Sequence, residues 1–217
     1  MDGYILLHKR SGVTSFQALH PVKRILGTGK VGHTGTLDKF ADGLMVVLVG
    51  KALKQQEAFT HLDKKYVADV FFGKETATLD PEGAFVAEAD APERDALIKA
   101  LEQFRGDITQ VPPAYSAIHV NGSRASDLAR KGKPPEMKAR PVTIYALELL
   151  SYEKPRARIA VHCSSGTYIR ALARDIALAC GSRAYLTALT RTMVGDFRLE
   201  DAAVVDNSTT ELRVHPL

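Results

Sequence analysis

The sequence predicts an α+β fold built on a mixed sheet. Short runs of β-forming residues are spread along the chain without a regular alternation of strands and helices, and this disfavours a doubly wound sheet. Three further segments place apolar residues at helical spacing. Because 45% of the 217 residues are hydrophobic and 25% are charged, the chain can bury a core, and we expect a single domain over residues 1–217.

The three predicted helices each have an apolar face and a glycine after the last turn. The first covers residues 15–26, with Ser15 as the predicted amino-terminal cap. The second covers residues 93–105, and its expected buried face consists of Leu97, Ile98, Leu101 and Phe104. The third covers residues 167–180, and its expected buried face consists of Ile169, Leu172, Ala173 and Ile176.

Strands and loops are predicted from the remaining patterns. The predicted strands are residues 44–49, 66–72, 142–152 and 157–163, with Lys154-Pro155 joining the last two. Residues 27–43 are rich in glycine and threonine, which predicts a loop. Residues 110–141 contain several prolines and glycines with little periodicity, and a loop of that length is usually functional or mobile.

Composition limits the possible classes of protein. No apolar run is long enough to span a membrane and residues 1–10 do not form a secretory signal, so we expect a cytoplasmic protein. The two cysteines, Cys163 and Cys180, are too few for a disulfide framework, and the seven histidines show no ligand spacing, so no metal is predicted. The net charge of +4 suits a polyanionic partner, although solvated surface lysines explain any single basic cluster equally well.

A glycine pattern at residues 27–32 fits the dinucleotide fingerprint G-x-G-x-x-G. That fingerprint requires a strand before it and a helix after it. Here a predicted helix comes first and a predicted loop follows. We therefore predict no dinucleotide site.

The most informative stretch begins at Gly32, ends at Asp38 and reads G-H-T-G-T-L-D. Two glycines beside threonines give a tight main chain with one carboxylate at its end. From these residues alone, a turn in which Asp38 caps a neighbouring group is slightly favoured over a functional role. The stretch closely resembles the signature of the TruB family of pseudouridine synthases, and Gly43-Leu44 matches the continuation of that signature.

Further segments resemble the same family in the same order along the chain. They are Lys9 with residues 12–15, Lys64-Lys65-Tyr66 with residues 73–83, residues 112–117, and Cys163 with residues 166–170. Together they cover nearly the whole chain, which is identified as a member of the family. The resemblance implies the pseudouridine synthase fold, a mainly antiparallel sheet flanked by helices and loops, with a thumb insertion at about residues 114–140.

The resemblance also implies an activity. A family member of the bacterial type isomerises uridine 55 in the T-loop of tRNA by base flipping, without a guide RNA. The reaction breaks the N1–C1′ bond, turns the uracil, joins C5 to C1′ and removes the C5 proton, so it requires no cofactor. An ionised aspartate can attack C1′ or C6, or take the 2′ proton in a glycal route, and the sequence leaves these routes open.

Site residues carry over from the family by motif. Asp38 is the implied catalytic residue, and Arg170 is its implied salt-bridge partner. The implied substrate-binding residues are Tyr66, which stacks on the flipped base, Tyr168, Arg170 and Leu189. The implied RNA-binding residues are His33, Lys64, Asp80 and Arg130. Core packing is the alternative interpretation for Tyr168 and Leu189, and support of a turn is the alternative for Lys64 and Asp80. For His33 the alternative is a loop histidine whose hydrogen bonds are satisfied within the protein.

The chain departs from the family pattern at Arg10, Lys39, His119, Ser126 and Thr190. None of these changes removes a catalytic group, and those at His119 and Ser126 bear on the RNA affinity of the thumb. The chain ends soon after Glu200, so we expect no carboxy-terminal PUA domain, and we expect a monomer.

Two rival functions stay open. The first is a guide-dependent synthase like those of archaea and eukaryotes, which the bacterial appearance of the thumb disfavours. The second is a tRNA-binding or tRNA-folding protein with little catalysis. The presence of Asp38, Tyr66 and Arg170 together disfavours that second function.

Overall fold

The computed structural model describes residues 2–206 and 208–217 and divides the chain into two compact units. The first unit consists of Met1–Val67 and Leu189–Leu217, and the second of Ala68–Ala188. The first unit therefore combines distant parts of the sequence, whereas the second is one continuous segment. This division does not test the expectation of a single domain, which stays a prediction.

Within the described residues the chain forms five α-helices and fourteen strands, which confirms the predicted α+β class. The helices are α1 (Ser15–Leu26), α2 (Gln56–Thr60), α3 (Arg94–Gln103), α4 (Ala125–Arg130) and α5 (Ile169–Ala179). The strands are β1 (Gly3–Lys9), β2 (Val31–His33), β3 (Asp42–Val49), β4 (Lys64–Phe72), β5 (Lys74–Thr76), β6 (Phe85–Glu88), β7 (Gly106–Gln110), β8 (His119–Val120), β9 (Ser123–Arg124), β10 (Arg140–Glu153), β11 (Arg156–Cys163), β12 (Ala184–Val194), β13 (Phe197–Arg198) and β14 (Ala203–Val204).

A mixed sheet forms the first unit, with strands in the order β14-β1-β3-β12. β1 and β3 are antiparallel, whereas β14 is parallel to β1 and β12 is parallel to β3. Both faces of β3 are buried, which explains its continuous apolar run. On one face Met45, Val47 and Val49 pack with Leu19 and Val22 of α1, and on the other Leu44, Val46 and Leu48 pack with Ala52 and Val194.

Antiparallel pairing dominates the second unit, where the strand order is β4-β11-β10-β7. β10 pairs antiparallel with both β11 and β7. Lys154-Pro155 joins β10 to β11 as predicted, through a cis peptide bond. Helix α3 contacts β10 and α5. The predicted inward face of α5 is confirmed, because Ile169, Leu172, Ala173 and Ile176 are all buried.

Helix α1 has the predicted bounds but a different cap. Thr14 accepts a hydrogen bond from the N–H of Gln17, and the side chain of Gln17 accepts one from the N–H of Thr14. The prediction of Ser15 as the cap is wrong, because its hydroxyl is bonded to Leu37 instead. Gly27 ends the helix in the left-handed conformation that glycine adopts readily.

Three other predictions need correction. Residues 27–43 are not all loop, since they include β2, a strand of three residues that exists through its pairing with β3. Residues 110–141 contain β8, β9 and α4. Ile98 is 36% exposed, and α3 buries Ala100 with Leu97 and Leu101 instead of the predicted face. β1 and β12 have no counterpart among the predicted strands.

Three observations bear on the predictions about membrane spans, metal sites and cysteines. No helix in the described part of the chain is long and apolar enough to cross a membrane. Nor do residues 2–206 and 208–217 contain three or more metal-ligating side chains grouped to hold an ion. Cys163 and Cys180 are not joined in a disulfide, and partial burial raises the pKa of the Cys180 thiol.

Candidate active site

Asp38 lies in a loop between β2 and β3, here called the Asp38 loop (residues 34–41). At the start of this loop, Thr34 donates from its N–H and its hydroxyl to the carbonyl of Val46, at 3.1 and 3.3 Å. Asp38 itself is half-buried, and its carbonyl accepts from the N–H of Ala41 at 3.1 Å. The loop therefore carries the carboxylate at the border between the core and the surface.

Hydroxyl groups from other segments fix the main chain of the Asp38 loop. The hydroxyl of Ser15 donates to the carbonyl of Leu37 at 2.9 Å and accepts from its N–H at 2.8 Å. The hydroxyl of Ser11 donates to the carbonyl of Phe40 at 2.6 Å. A main chain bonded on both sides of Asp38 leaves that residue little freedom, as is required of a side chain that must meet a reacting atom.

A buried lysine supports the same loop. Lys9 on β1 is 1% exposed, and its ammonium donates to four main-chain carbonyls. Two of these carbonyls belong to Lys39 and Ala41 of the Asp38 loop, at 3.4 and 2.6 Å, and the others to Arg10 and Val13. A buried ammonium is tolerated only where its donors are satisfied, so Lys9 and these carbonyls depend on each other.

His33, at the end of β2, is neutral near pH 7. Burial lowers the pKa of its imidazole from the ordinary value of about 6.5, and the nearby charge of Arg191 lowers it further. Within the described residues, the buried Nδ1 atom of His33 has no hydrogen-bond partner. A neutral ring can pack against a base without desolvating a charge, and the predicted RNA contact of His33 stays a prediction.

The other site residues predicted in the first unit lie on strands. Tyr66 on β4 is 9% exposed, and Leu189 on β12 is 6% exposed. Lys64 is buried at the start of β4, where its ammonium donates to the carbonyls of Thr60 and Leu62. These bonds explain how a lysine is accommodated in the interior. The predicted roles of Tyr66, Leu189 and Lys64 toward RNA stay predictions.

In the second unit, Arg170 is the centre of a buried polar network. Its Nη1 atom lies 3.4 Å from the Oδ2 atom of Asp80, and both side chains are almost fully buried. Arg170 also donates to the carbonyls of Thr78 at 2.7 Å and Tyr115 at 2.9 Å. It thus fixes the turn that carries Asp80 together with the first residues of the predicted thumb. The predicted pairing of Arg170 with Asp38 stays a prediction.

The turn before Asp80 has an unusual backbone conformation. Leu79 has a φ of 60°, in the left-handed region that a leucine rarely adopts. Its side chain is buried, and its carbonyl accepts from the N–H of Leu186 at 3.1 Å. The carbonyl of Thr78 and the carboxylate of Asp80, on either side of Leu79, both meet the same nitrogen of Arg170. The surrounding contacts therefore keep a strained residue at a candidate functional position.

A buried glutamine holds Tyr168. The side chain of Gln110 accepts from the N–H of Tyr168 at 2.8 Å and donates to its carbonyl at 3.2 Å. The guanidinium of Arg140 lies 5.0 Å from the centre of the Tyr168 ring and donates to the carbonyl of Gly166 at 2.9 Å. The main chain and one ring face of Tyr168 are thus fixed, and the stacking role predicted for this ring stays a prediction.

Arg130 is an exposed residue of helix α4, inside the predicted thumb, here called the thumb segment (residues 114–140). It forms an exposed ion pair with Asp127 at 3.3 Å, three residues earlier. Met137 and Arg140 are among the residues that line a cavity of about 400 Å³ in this part of the chain. Exposed cations such as Arg130 suit a phosphate backbone, and the predicted contact of Arg130 with RNA stays a prediction.

Sequence reasoning missed several residues that hold these site residues in place. Lys9 was noted only as part of a family motif. Its supporting role was missed, because nothing in the sequence shows that its ammonium is buried. Gln110 gave no signal, and Arg191 was noted only as the end of a basic cluster and as the residue after the departure at Thr190. Their importance comes from bonds to the main chain of Tyr168 and of the Asp38 loop, far away in sequence.

Comparison with known proteins identifies the class. The family model described as TruB family pseudouridylate synthase (N terminal domain) matches residues 23–169. The chain is 47% identical over 209 residues to tRNA pseudouridine synthase B of Borreliella burgdorferi strain ZS7, a match that covers 95% of this chain and 74% of that protein. It is 46% identical over 228 residues to the protein of the same name from Treponema pallidum strain Nichols, covering 94% of this chain and 62% of that protein.

Solved structures agree with the sequence comparison. The fold is similar to that of a chain in a crystal structure of a Cbf5-Nop10-Gar1 complex, with a TM-score of 0.70 and 31% sequence identity. The similarity covers 90% of this chain and 50% of that chain, so this protein spans about half the length of the solved relative.

The fold and the motif around Asp38 therefore define a pseudouridine synthase, an enzyme of the isomerase class. The predicted fold and enzyme class are confirmed. Within that class, the chain belongs to the TruB family.

Proposed function

We propose that this protein converts uridine 55 in the T-loop of tRNA to pseudouridine, without a guide RNA. The proposal is carried by one observation, which is that Asp38 stands on a loop whose main chain is bonded on both sides of it to buried or half-buried groups. The names of the bacterial relatives, tRNA pseudouridine synthase B, support tRNA as the substrate. An enzyme with this substrate works where tRNA matures, so we also propose a cytoplasmic location.

Asp38 is the proposed catalytic residue. As a carboxylate it can attack C1′ or C6 of the flipped uridine, or take the 2′ proton in a glycal route. Flipping a base out of folded RNA costs a few kcal/mol, which aromatic contacts offset in part. Tyr66, Tyr168 and Leu189 are the proposed contacts of the flipped base, and Arg170 is the proposed cation that keeps Asp38 ionised. His33, Lys64, Asp80 and Arg130 are the proposed contacts with the surrounding RNA.

The test is release of tritium from tRNA labelled at C5 of uridine, because C5 loses its proton during isomerisation. We expect release by the wild-type protein and none above background by Asp38→Asn, with tRNA affinity largely kept. Asp95→Asn, on the exposed surface of α3, is the matched control and should release label at the wild-type rate. Release by Asp38→Asn at the wild-type rate would contradict the assignment.

Substrate position and guide independence need separate measurements. We expect a tRNA transcript with cytidine at position 55 to form no pseudouridine, and protein freed of bound RNA by nuclease treatment to keep its activity. Activity that returns only when a guide RNA is added would support the guide-dependent alternative. Binding of tRNA without any label release by the wild-type protein would support the binding-protein alternative.

A further inference from the structure

Arg191 on β12 is a buried arginine with an uncommon set of partners. It is 3% exposed, and within the described residues it forms no ion pair. Its guanidinium instead donates to three main-chain carbonyls, those of Leu44 at 2.7 Å, Gly35 at 3.2 Å and Thr36 at 3.5 Å. Because a buried charge must have its donors satisfied, the guanidinium and these carbonyls keep one another in position.

Two of the three carbonyls belong to the Asp38 loop. Gly35 and Thr36 are the third and second residues before Asp38, and their carbonyls meet two different nitrogens of Arg191. A guanidinium is planar and presents its donors in fixed directions, so it restrains the orientation of both peptide groups. The bond to Leu44 ties the same guanidinium to β3.

The neighbouring main chain permits this arrangement only because residue 43 is glycine. Gly43 on β3 pairs in parallel register with Arg191. A Cβ atom added at Gly43 would lie 2.4 Å from the carbonyl oxygen of Arg191, and the φ of Gly43 is +123°. Any side chain at this position would push β12 away from β3, and the guanidinium would move away from the loop with it.

From these contacts we infer that Arg191 is a positioning residue for Asp38. Arg191 holds the peptides of Gly35 and Thr36, and Ser15 holds the peptide of Leu37. The main chain of each of the three residues before Asp38 is therefore restrained by a hydrogen bond. The consequence is a single orientation of the carboxylate toward the substrate. The inference rests on the proposed function, because orientation matters for catalysis only if Asp38 is the catalytic residue.

The test compares Arg191→Met and Arg191→Lys with a control. Methionine keeps much of the length without any donor, and lysine keeps the charge without the planar fork. Arg105→Met is the matched control, because the guanidinium of Arg105 also donates to a main-chain carbonyl, that of Leu147 at 3.2 and 2.9 Å. Neither of these bonds involves the Asp38 loop.

We expect Arg191→Met to lower the single-turnover rate of pseudouridine formation on the order of 10- to 100-fold, because small misplacement of a reacting group has effects of that size. The dissociation constant for tRNA should change less than about threefold, since the Arg191 side chain is only 3% exposed and its donors are used by main-chain carbonyls. Arg191→Lys should recover part of the rate, and Arg105→Met should keep all of it. Equal losses in rate and affinity, or a rate that only follows the folded fraction, would overturn the inference.

Hydrogen–deuterium exchange distinguishes this inference from the proposed function, because exchange requires no catalysis. We expect amides of residues 35–41 to exchange about tenfold faster in Arg191→Met than in the wild type, while those of β11 stay unchanged. Unchanged exchange in the loop overturns the inference even if the protein is active. If the loop exchanges faster in Arg191→Met but the wild type forms no pseudouridine, Arg191 still restrains the loop and the proposed function is refuted. If Arg191→Met does not fold, Arg191→Lys carries the same comparison.

Discussion

The Asp38 loop connects β2 to β3, the thumb segment lies largely between β7 and β10, and the two differ in what their main chains bond to. In the Asp38 loop, each carbonyl from residue 35 to residue 41 accepts a hydrogen bond, and six of these seven carbonyls are bonded by groups outside the loop. Apart from Arg140, which pairs with Gln110 of β7, the described main-chain bonds of the thumb segment are local, such as those from Ala125 to Ile118 and from Lys133 to Leu128. Arg170 reaches the segment from outside, at the carbonyl of Tyr115.

The burial of charged groups differs in the same way. The Asp38 loop is supported by two buried cations, Lys9 and Arg191, whose partners are carbonyls. In the thumb segment, Arg130 and Asp127 are exposed and pair with each other. A group that performs chemistry has to be held in one position, whereas a surface that receives RNA can adapt when the RNA arrives. The two connections therefore differ as their proposed tasks require.

The strongest way to break this comparison is Lys9→Met. The substitution removes the ammonium and leaves the buried carbonyl of Ala41 and the partly buried carbonyl of Lys39 without it, so we expect the free energy of unfolding to fall by about 3 kcal/mol. Chemical denaturation measures the change. Lys131→Met, at an exposed lysine of the thumb segment, is the control and should change the free energy of unfolding by less than about 0.5 kcal/mol. Similar losses in the two variants would remove the distinction between the loops.

Ser15→Ala tests a smaller contribution to the Asp38 loop. It removes two hydrogen bonds to Leu37, at 2.9 and 2.8 Å, and leaves a buried N–H and a buried carbonyl unpaired. We expect the free energy of unfolding to fall by about 1–2 kcal/mol, as measured by denaturation in urea. Ser123→Ala in the thumb segment, at an exposed serine, should have no measurable effect. A neutral Ser15→Ala would show that water replaces the hydroxyl at no cost.

The pH dependence of stability tests the surroundings of His33. Its pKa is lowered in the folded protein, so below about pH 6.5 the unfolded chain takes up a proton that the folded protein resists. The contribution is present above that pH and is lost as the pH falls below it. We expect the wild type to lose more stability than His33→Gln when the pH is lowered from about 7.5 to about 5.5. Identical losses would show that His33 titrates as it does in water.

The smallest expected effect on stability is that of Arg130→Gln in the thumb segment. An exposed ion pair contributes little, so the free energy of unfolding should change by less than about 0.5 kcal/mol. If Arg130 contacts a phosphate, tRNA affinity should fall severalfold and the slope of log K against log salt should decrease by about 1. Binding measured at several salt concentrations gives this slope. An unchanged slope would remove Arg130 from the RNA contacts.

Much of the fold follows from periodicity. The bounds of α1 and the hairpin of β10 and β11 were predictable, because each segment repeats its apolar residues at the spacing of its own structure. β2 was not predictable, since three residues including a glycine are ordered by pairing with β3. The exposure of Ile98 was also hidden, because the neighbours of a helix decide which of its apolar residues are covered.

The sequence by itself determined the family, the fold class and the position of Asp38, because a catalytic motif is a local run of residues that can be read directly along the chain. Only the tertiary structure decided what holds that motif. The partners of the loop carbonyls, Lys9, Ser15 and Arg191, come from positions up to 156 residues away. Every residue has a main-chain carbonyl, so a hydrogen bond to that carbonyl does not depend on the type of the acceptor residue. Such bonds therefore cannot be recognised from the sequence of the loop.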